Sequence, residues 1–145
     1  MNKKKYTIAQ ILPALNTGGV ERGVVEISKA LVDNNFRSIV ISSGGYMVSQ
    51  ITRNGGIHYD LDVHTKNPIK WPKIRSQLKK ILESENVDLI HFCSRAPAWI
   101  GIPLGVILDI PIITSVHMRF RKSNVFKKFY NSILTKGNSI IAISK

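Results

Sequence analysis

Asn16-Thr17-Gly18-Gly19-Val20-Glu21-Arg22 stands where an apolar run stops and a helical pattern begins. Paired glycines at a strand-to-helix turn let backbone N–H groups approach a ligand that a Cβ would hold away. The helix N-terminus that follows offers unpaired donors and partial positive charge, which suits a phosphate. Other groups follow apolar runs in the same manner: Ser43-Gly44-Gly45, then Cys93-Ser94-Arg95, then His117 with Arg119 and Arg121 close behind. Small, polar and basic residues in such places suit an anionic or hydroxyl-rich ligand.

Each group has a plainer reading beside the chemical one. Gly18-Gly19 can serve a tight turn alone, His117 can be a hydrogen-bonded structural histidine, and Arg95 can be a solvated helix-start residue. Cys93 has no second cysteine and no evident base beside it in the sequence, so it reads as a small apolar filler. His58, His64 and His91 lack metal-ligand spacing, and Asp60 and Asp62 alternate on a strand end as solvated carboxylates. No metal site is expected. The dinucleotide fingerprint G-x-G-x-x-G is absent, as are a Ser-His-Asp order and a hydrolase carboxylate pair.

The elements that must position these groups alternate along the chain. Strands are expected over residues 6–12, 37–42, 57–61, 88–92, 111–116 and 139–143. Val20, Val24, Ile27 and Leu31 line one face of a helix that Asn34-Asn35 ends. A weak helix over 46–54 closes at Gly55-Gly56. A helix over 70–85 sets Ile74, Leu78, Ile81 and Leu82 against a solvated basic side. Apolar helices are expected over 98–108 and 124–136. Strands alternating with helices, each strand a continuous apolar run, indicate a parallel sheet covered on both faces. The expectation is an α/β, doubly wound, Rossmann-like sheet of order 3-2-1-4-5-6. Its ligands would bind outside the strand carboxyl ends, at the switch between the first and fourth strands. His117 would share that rim.

The chain has 145 residues, enough for a single domain over 1–145 with a real core. Hydrophobic residues make up 43% and charged ones 21%, which fits a globular class. A single cysteine excludes an internal disulfide and suits a reducing, cytoplasmic setting. No apolar run is long enough to span a bilayer. Lys3-Lys4-Lys5 reads as a basic lead-in to the first strand rather than the start of a signal peptide. The net charge of +12 is spread over several lysine-rich stretches without the alternating aromatics of a single-strand nucleic-acid platform. An anionic membrane surface and simple solvation are the favoured readings of that charge, and nucleic acid is not an expected partner.

Taken in order, several blocks resemble family 4 glycosyltransferases. The opening Ile11-Leu12-Pro13-Ala14-Leu15-Asn16-Thr17-Gly18-Gly19-Val20-Glu21-Arg22-Gly23 is similar to the family's first loop. Val87-Asp88-Leu89-Ile90-His91, then Ser94-Arg95-Ala96-Pro97-Ala98-Trp99, resembles a bacterial subset. Ile112-Ile113-Thr114-Ser115-Val116-His117 is similar to the segment ending in a histidine, and Ile140-Ile141-Ala142-Ile143-Ser144 to a strand ending in serine. The resemblance covers nearly the whole chain. It implies the acceptor-side domain of a two-domain GT-B, retaining transferase of the bacterial envelope polysaccharide or lipopolysaccharide type. The donor is a nucleotide-sugar, the acceptor lipid-linked or a saccharide, and no further cofactor is implied. Gly18 and Gly19 map onto the donor-diphosphate loop and His117 onto the catalytic histidine beside the transferred sugar. Arg95, Ser94 and Glu21 are the candidate acceptor- or substrate-binding residues.

Two departures stand out. Met118 follows His117 where the family usually has glycine, and the sequence stops where the donor domain should begin. The expectation is therefore a chain incomplete by itself, served by a separately encoded C-terminal half and associated with the inner face of the cell membrane. The alternative is an inactive split-gene or degenerate remnant acting at most as a binding module, with a basic nucleic-acid-binding protein, motivated by charge alone, behind it.

Overall fold

The structure is a computed structural model describing residues 4–116 and 132–142. Six parallel strands form one sheet: β1 Thr7–Ile11, β2 Arg37–Ser42, β3 Ile57–Asp60, β4 Leu89–Phe92, β5 Ile112–Val116 and β6 Ser139–Ala142. Their order is β3-β2-β1-β4-β5-β6, the doubly wound Rossmann-like order expected from the sequence. The helices are α1 Gly19–Asp33, α2 Val48–Arg53, α3 Trp71–Ser84 and α4 Arg95–Ile107, with short 3-10 turns at Pro68–Lys70 and Ser132–Thr135.

The four central strands are buried on both faces, which explains their unbroken apolar runs, whereas β3 is half-buried and Ser139, Ile140 and Ile141 of β6 are exposed. One face carries Ala9, Ile11, Ile39, Ile41, Ile90, Phe92 and Ile112 against Ile74, Leu78 and Leu82 of α3 and Ala98 and Leu104 of α4. The other places Leu12, Val40 and Cys93 against Val24 and Val25 of α1 and Ile51 of α2. Gln10 points into this second face, where its Nε2 donates to the Val24 carbonyl at 3.2 Å and fastens α1 to the central strand.

All four helices end in the same hydrogen-bonded turn. After α1, Phe36 N donates to Leu31 O and Asn35 N to Val32 O. The equivalent pairs follow α2 (Gly56 to Ile51, Gly55 to Thr52), α3 (Val87 to Leu82, Asn86 to Glu83) and α4 (Ile110 to Gly105, Asp109 to Val106). The turning residues Asn35, Gly55, Asn86 and Asp109 all have positive φ, where glycine, asparagine and aspartate are tolerated best.

Helix α4 begins three residues earlier than the apolar periodicity suggests. Pro97 falls in its first turn, where a missing N–H breaks no helical bond. Pro103 lies inside the helix and leaves the Trp99 carbonyl without its usual donor. Arg75 of α3 fills that role: its Nη2 donates to Trp99 O at 3.3 Å and its Nε to Ile100 O at 2.8 Å. Of the helix expected over 124–136, residues Ser132–Thr135 form a 3-10 turn and the earlier part lies outside the described residues.

Candidate functional site

The loops after β1 and β4 converge at the switch in strand order, because Ile11 and Phe92 are register partners at the ends of adjacent strands. Two helices start there. Gly18 is the N-cap of α1, in extended conformation (φ 166°, ψ 169°), and Ser94 is the N-cap of α4 (φ −158°, ψ 162°). Neither N-cap makes a side-chain capping bond. The N-termini of both helices, with their positive dipole ends, thus rise from neighbouring strands, an arrangement suited to an anion.

The glycines of the first loop are not demanded by the fold. Gly18 is extended, as any residue can be. A Cβ on Gly19 would meet nothing within 4 Å, and one on Gly18 would meet only the carboxylate end of Glu21, a flexible neighbour. Glu21 occupies the first turn of α1, where a carboxylate complements the helix dipole, so its position has a structural explanation as well as a binding one.

The second glycine pair behaves differently. Gly44 (φ 88°) and Gly45 (φ 142°) lie in the left-handed half of backbone space, and a Cβ on Gly45 would collide with the Leu15 carbonyl. Their loop braces the first one. Leu15 N donates to Gly44 O at 2.8 Å, Met47 N to Leu15 O at 2.8 Å, and Ser43 Oγ to Pro13 O at 2.7 Å. Beneath them Ser42 Oγ accepts from Gly44 N at 3.1 Å and bonds His58 Nε2 at 2.8 Å. Burial holds the His58 pKa below its ordinary value, against the opposing effect of Asp60. Gly44-Gly45 is therefore scaffold, and Gly18-Gly19 is the surface it supports.

Ser94 and Arg95 stand at the start of α4, on the same rim as Gly18 and Gly19. Arg95 is half-buried and engaged with its surroundings. His117 lies outside the described residues, although β5 delivers the chain to this rim at Val116. Below that point the buried His91 of β4 bonds Ser115 Oγ of β5 through Nε2, fastening the two strand ends together. Cys93 proves to have a base nearby: its Sγ lies 3.8 Å from His91 Nδ1. The two side chains are two residues apart on one strand and share a face. Burial nevertheless pushes the thiol pKa up to about 12, so it stays protonated and unreactive. Asp62 is not merely solvated, since it pairs with His64 Nδ1 at 2.9 Å. Among the described residues no group of three or more His, Cys, Asp or Glu could hold a metal. No described helix is long and apolar enough to cross a membrane.

The model of Glycosyltransferase Family 4 matches residues 17–145. Among solved structures, a glycosyltransferase from Rickettsia africae superposes with a TM-score of 0.82 at 37% identity, over 98% of this chain and 38% of its own. HepE of Anabaena, solved with UDP and glucose, gives 0.70 at 12% identity over 90% of this chain and 36% of its own. Sucrose-phosphate synthase from Thermosynechococcus elongatus gives 0.69 at 13% identity over 97% and 43%. The last two likenesses speak for the fold alone. The chain thus spans well under half the length of these structures, and no curated protein matches it.

Proposed function

The chain belongs to glycosyltransferase family 4, and from that premise we propose that it is the acceptor-side half of a transferase moving a sugar from a nucleotide-sugar to a lipid-linked or polysaccharide acceptor of the bacterial envelope. The observation that carries this reading is Gly19. It opens a helix at the strand-order switch, its φ needs no glycine, and a Cβ there would point into open space. A reason for glycine at such a place is the close approach of a ligand to the backbone.

In this reading the Gly18 and Gly19 amides and the start of α1 receive the donor diphosphate. Fixed N–H dipoles there stabilise the charge that grows as the diphosphate departs. The second helix start, at Ser94 and Arg95, faces the same space and contributes hydrogen bonds to donor or acceptor oxygens. Glu21 can leave Gly18 and accept from a sugar hydroxyl. His117 hydrogen-bonds the transferred sugar near its anomeric carbon, with retention of configuration and no metal. The remaining donor contacts come from a second domain that closes the cleft and excludes water. HepE was solved with UDP and glucose, which makes UDP-glucose the first donor to try.

The test joins this chain to the part of the Rickettsia africae relative that it does not cover and supplies labelled UDP-sugars with a bacterial lipid extract. Labelled product from the parent, and its loss by about 100-fold or more in Gly19→Leu with an unchanged melting curve, is the expected result. Transfer that survives Gly19→Leu makes the pair a turn and nothing more. No transfer with any donor favours the inactive remnant.

A further inference from the structure

From this same rim, we infer that the loop between β3 and α3 is a docking surface for an anionic lipid bilayer, with Ile69 as its inserting side chain. Ile69 is 86% exposed at the middle of the 3-10 turn Pro68–Lys70. A lone exposed isoleucine is ordinary, but this one is held outward by a rigid loop. Asn67 Oδ1 accepts from Ile69 N at 3.1 Å, Lys70 N donates to Asn67 O at 3.1 Å, and Trp71 Nε1 donates to Thr65 O at 3.0 Å. Trp71 is itself stacked on Trp99, with ring centroids 6.4 Å apart.

The charge around Ile69 selects the occupant. Lys66, Lys70 and Lys73 surround it in sequence and are exposed, and Lys80 continues the exposed stripe of α3. None of these lysines forms an ion pair with a described residue. From Val63 to Leu82 the chain carries six basic residues and no acidic one. An exposed apolar side chain flanked in sequence by exposed lysines matches a surface with anionic headgroups above hydrocarbon. Tyr46, 84% exposed, follows the neighbouring strand β2 on the same rim.

Position fits the chemistry. The loop leaves edge strand β3 at the carboxyl rim and crosses to α3, whose first residue Trp71 stacks on Trp99 of α4, so it lies on the same rim as the switch point. A bilayer engaged by this loop brings lipid-linked acceptors to the rim that carries the switch point. This inference rests on the lipid-linked form of the proposed acceptor.

Sedimentation of the chain with vesicles tests it. Vesicles of equal parts phosphatidylglycerol and phosphatidylcholine should bind the chain at low salt, and vesicles of phosphatidylcholine alone should not. Because both tryptophans of the sequence adjoin the loop, their emission should shift to the blue on binding. Ile69→Ser should weaken binding about tenfold, and each of Lys66→Ser, Lys70→Ser and Lys73→Ser about fivefold, with circular dichroism unchanged. Absence of binding to the anionic vesicles, or equal binding by all variants, overturns the proposal. So does finding that these variants instead lose contact with the donor-binding domain, which would make the loop a domain interface. The assay uses no donor sugar, so its failure with sugar transfer to a soluble saccharide intact removes the docking surface and spares the transferase. Loss of transfer with vesicle binding intact does the reverse.

Discussion

Two glycine pairs of identical composition do opposite jobs in this chain. Gly44-Gly45 takes up positive φ and passes under the Leu15 carbonyl, where no side chain fits. Gly18-Gly19 has ordinary backbone angles or open space and gains nothing from lacking a Cβ inside the fold. The consequence is measurable by thermal or urea denaturation. Gly19→Ala should leave stability within about 1 kcal/mol of the parent or raise it, since alanine is the better helix former. Gly45→Ala should lower it by about 1–3 kcal/mol through backbone strain. Equal losses at both positions would make the first pair structural too. In the sequence both pairs simply follow apolar runs, because nothing local records which loop lies over the other.

At the level of elements, α4 depends on α3 in a way that its own residues do not announce. Pro103 frees the Trp99 carbonyl, and the half-buried Arg75 guanidinium, from another helix, donates to it and to Ile100 O. Gly101 lets the same helix lie directly on the sheet, since a Cβ there would strike the Phe92 ring. Arg75→Met keeps the aliphatic stem but removes the donors. It should cost about 1.5–3 kcal/mol, the range for hydrogen bonds from a charged donor, read as a lower melting temperature with unchanged helix content. An unaltered melting curve would mean that water serves the Trp99 carbonyl equally well. The periodicity of α3 is plain in the sequence because Ile74, Leu78 and Leu82 form one buried stripe, whereas α1 buries Val24, Val25 and Ser28 and leaves Ile27, expected on its apolar face, 42% exposed. Helix α4 buries residues on most of its circumference, so its start at Arg95 carried no such signal.

For the molecule as a whole, the doubly wound order puts β1 and β4 at the centre, each paired on both sides, and β3 and β6 at the edges. Opening free energies run from about zero at frayed edges to the global value in the core. Amide exchange should therefore be slowest in Ala9, Gln10, Ile11 and Ile90, and faster in β3 and β6. A uniform rate across the sheet would contradict that gradient. The same order brings two helix starts without side-chain caps side by side at the switch point, with the basic Ile69 loop on the same rim. The alternation of elements, the doubly buried strands and the likeness to one glycosyltransferase family could all be read from the sequence, because periodicity and motif order are properties of neighbours along the chain. Which glycine pair faces open space, that Arg75 serves a carbonyl of α4, and that α1 and α4 aim their N-termini at one place were decided by the tertiary structure. Each is a contact or a vacancy between segments distant in sequence, and only packing brings such segments together.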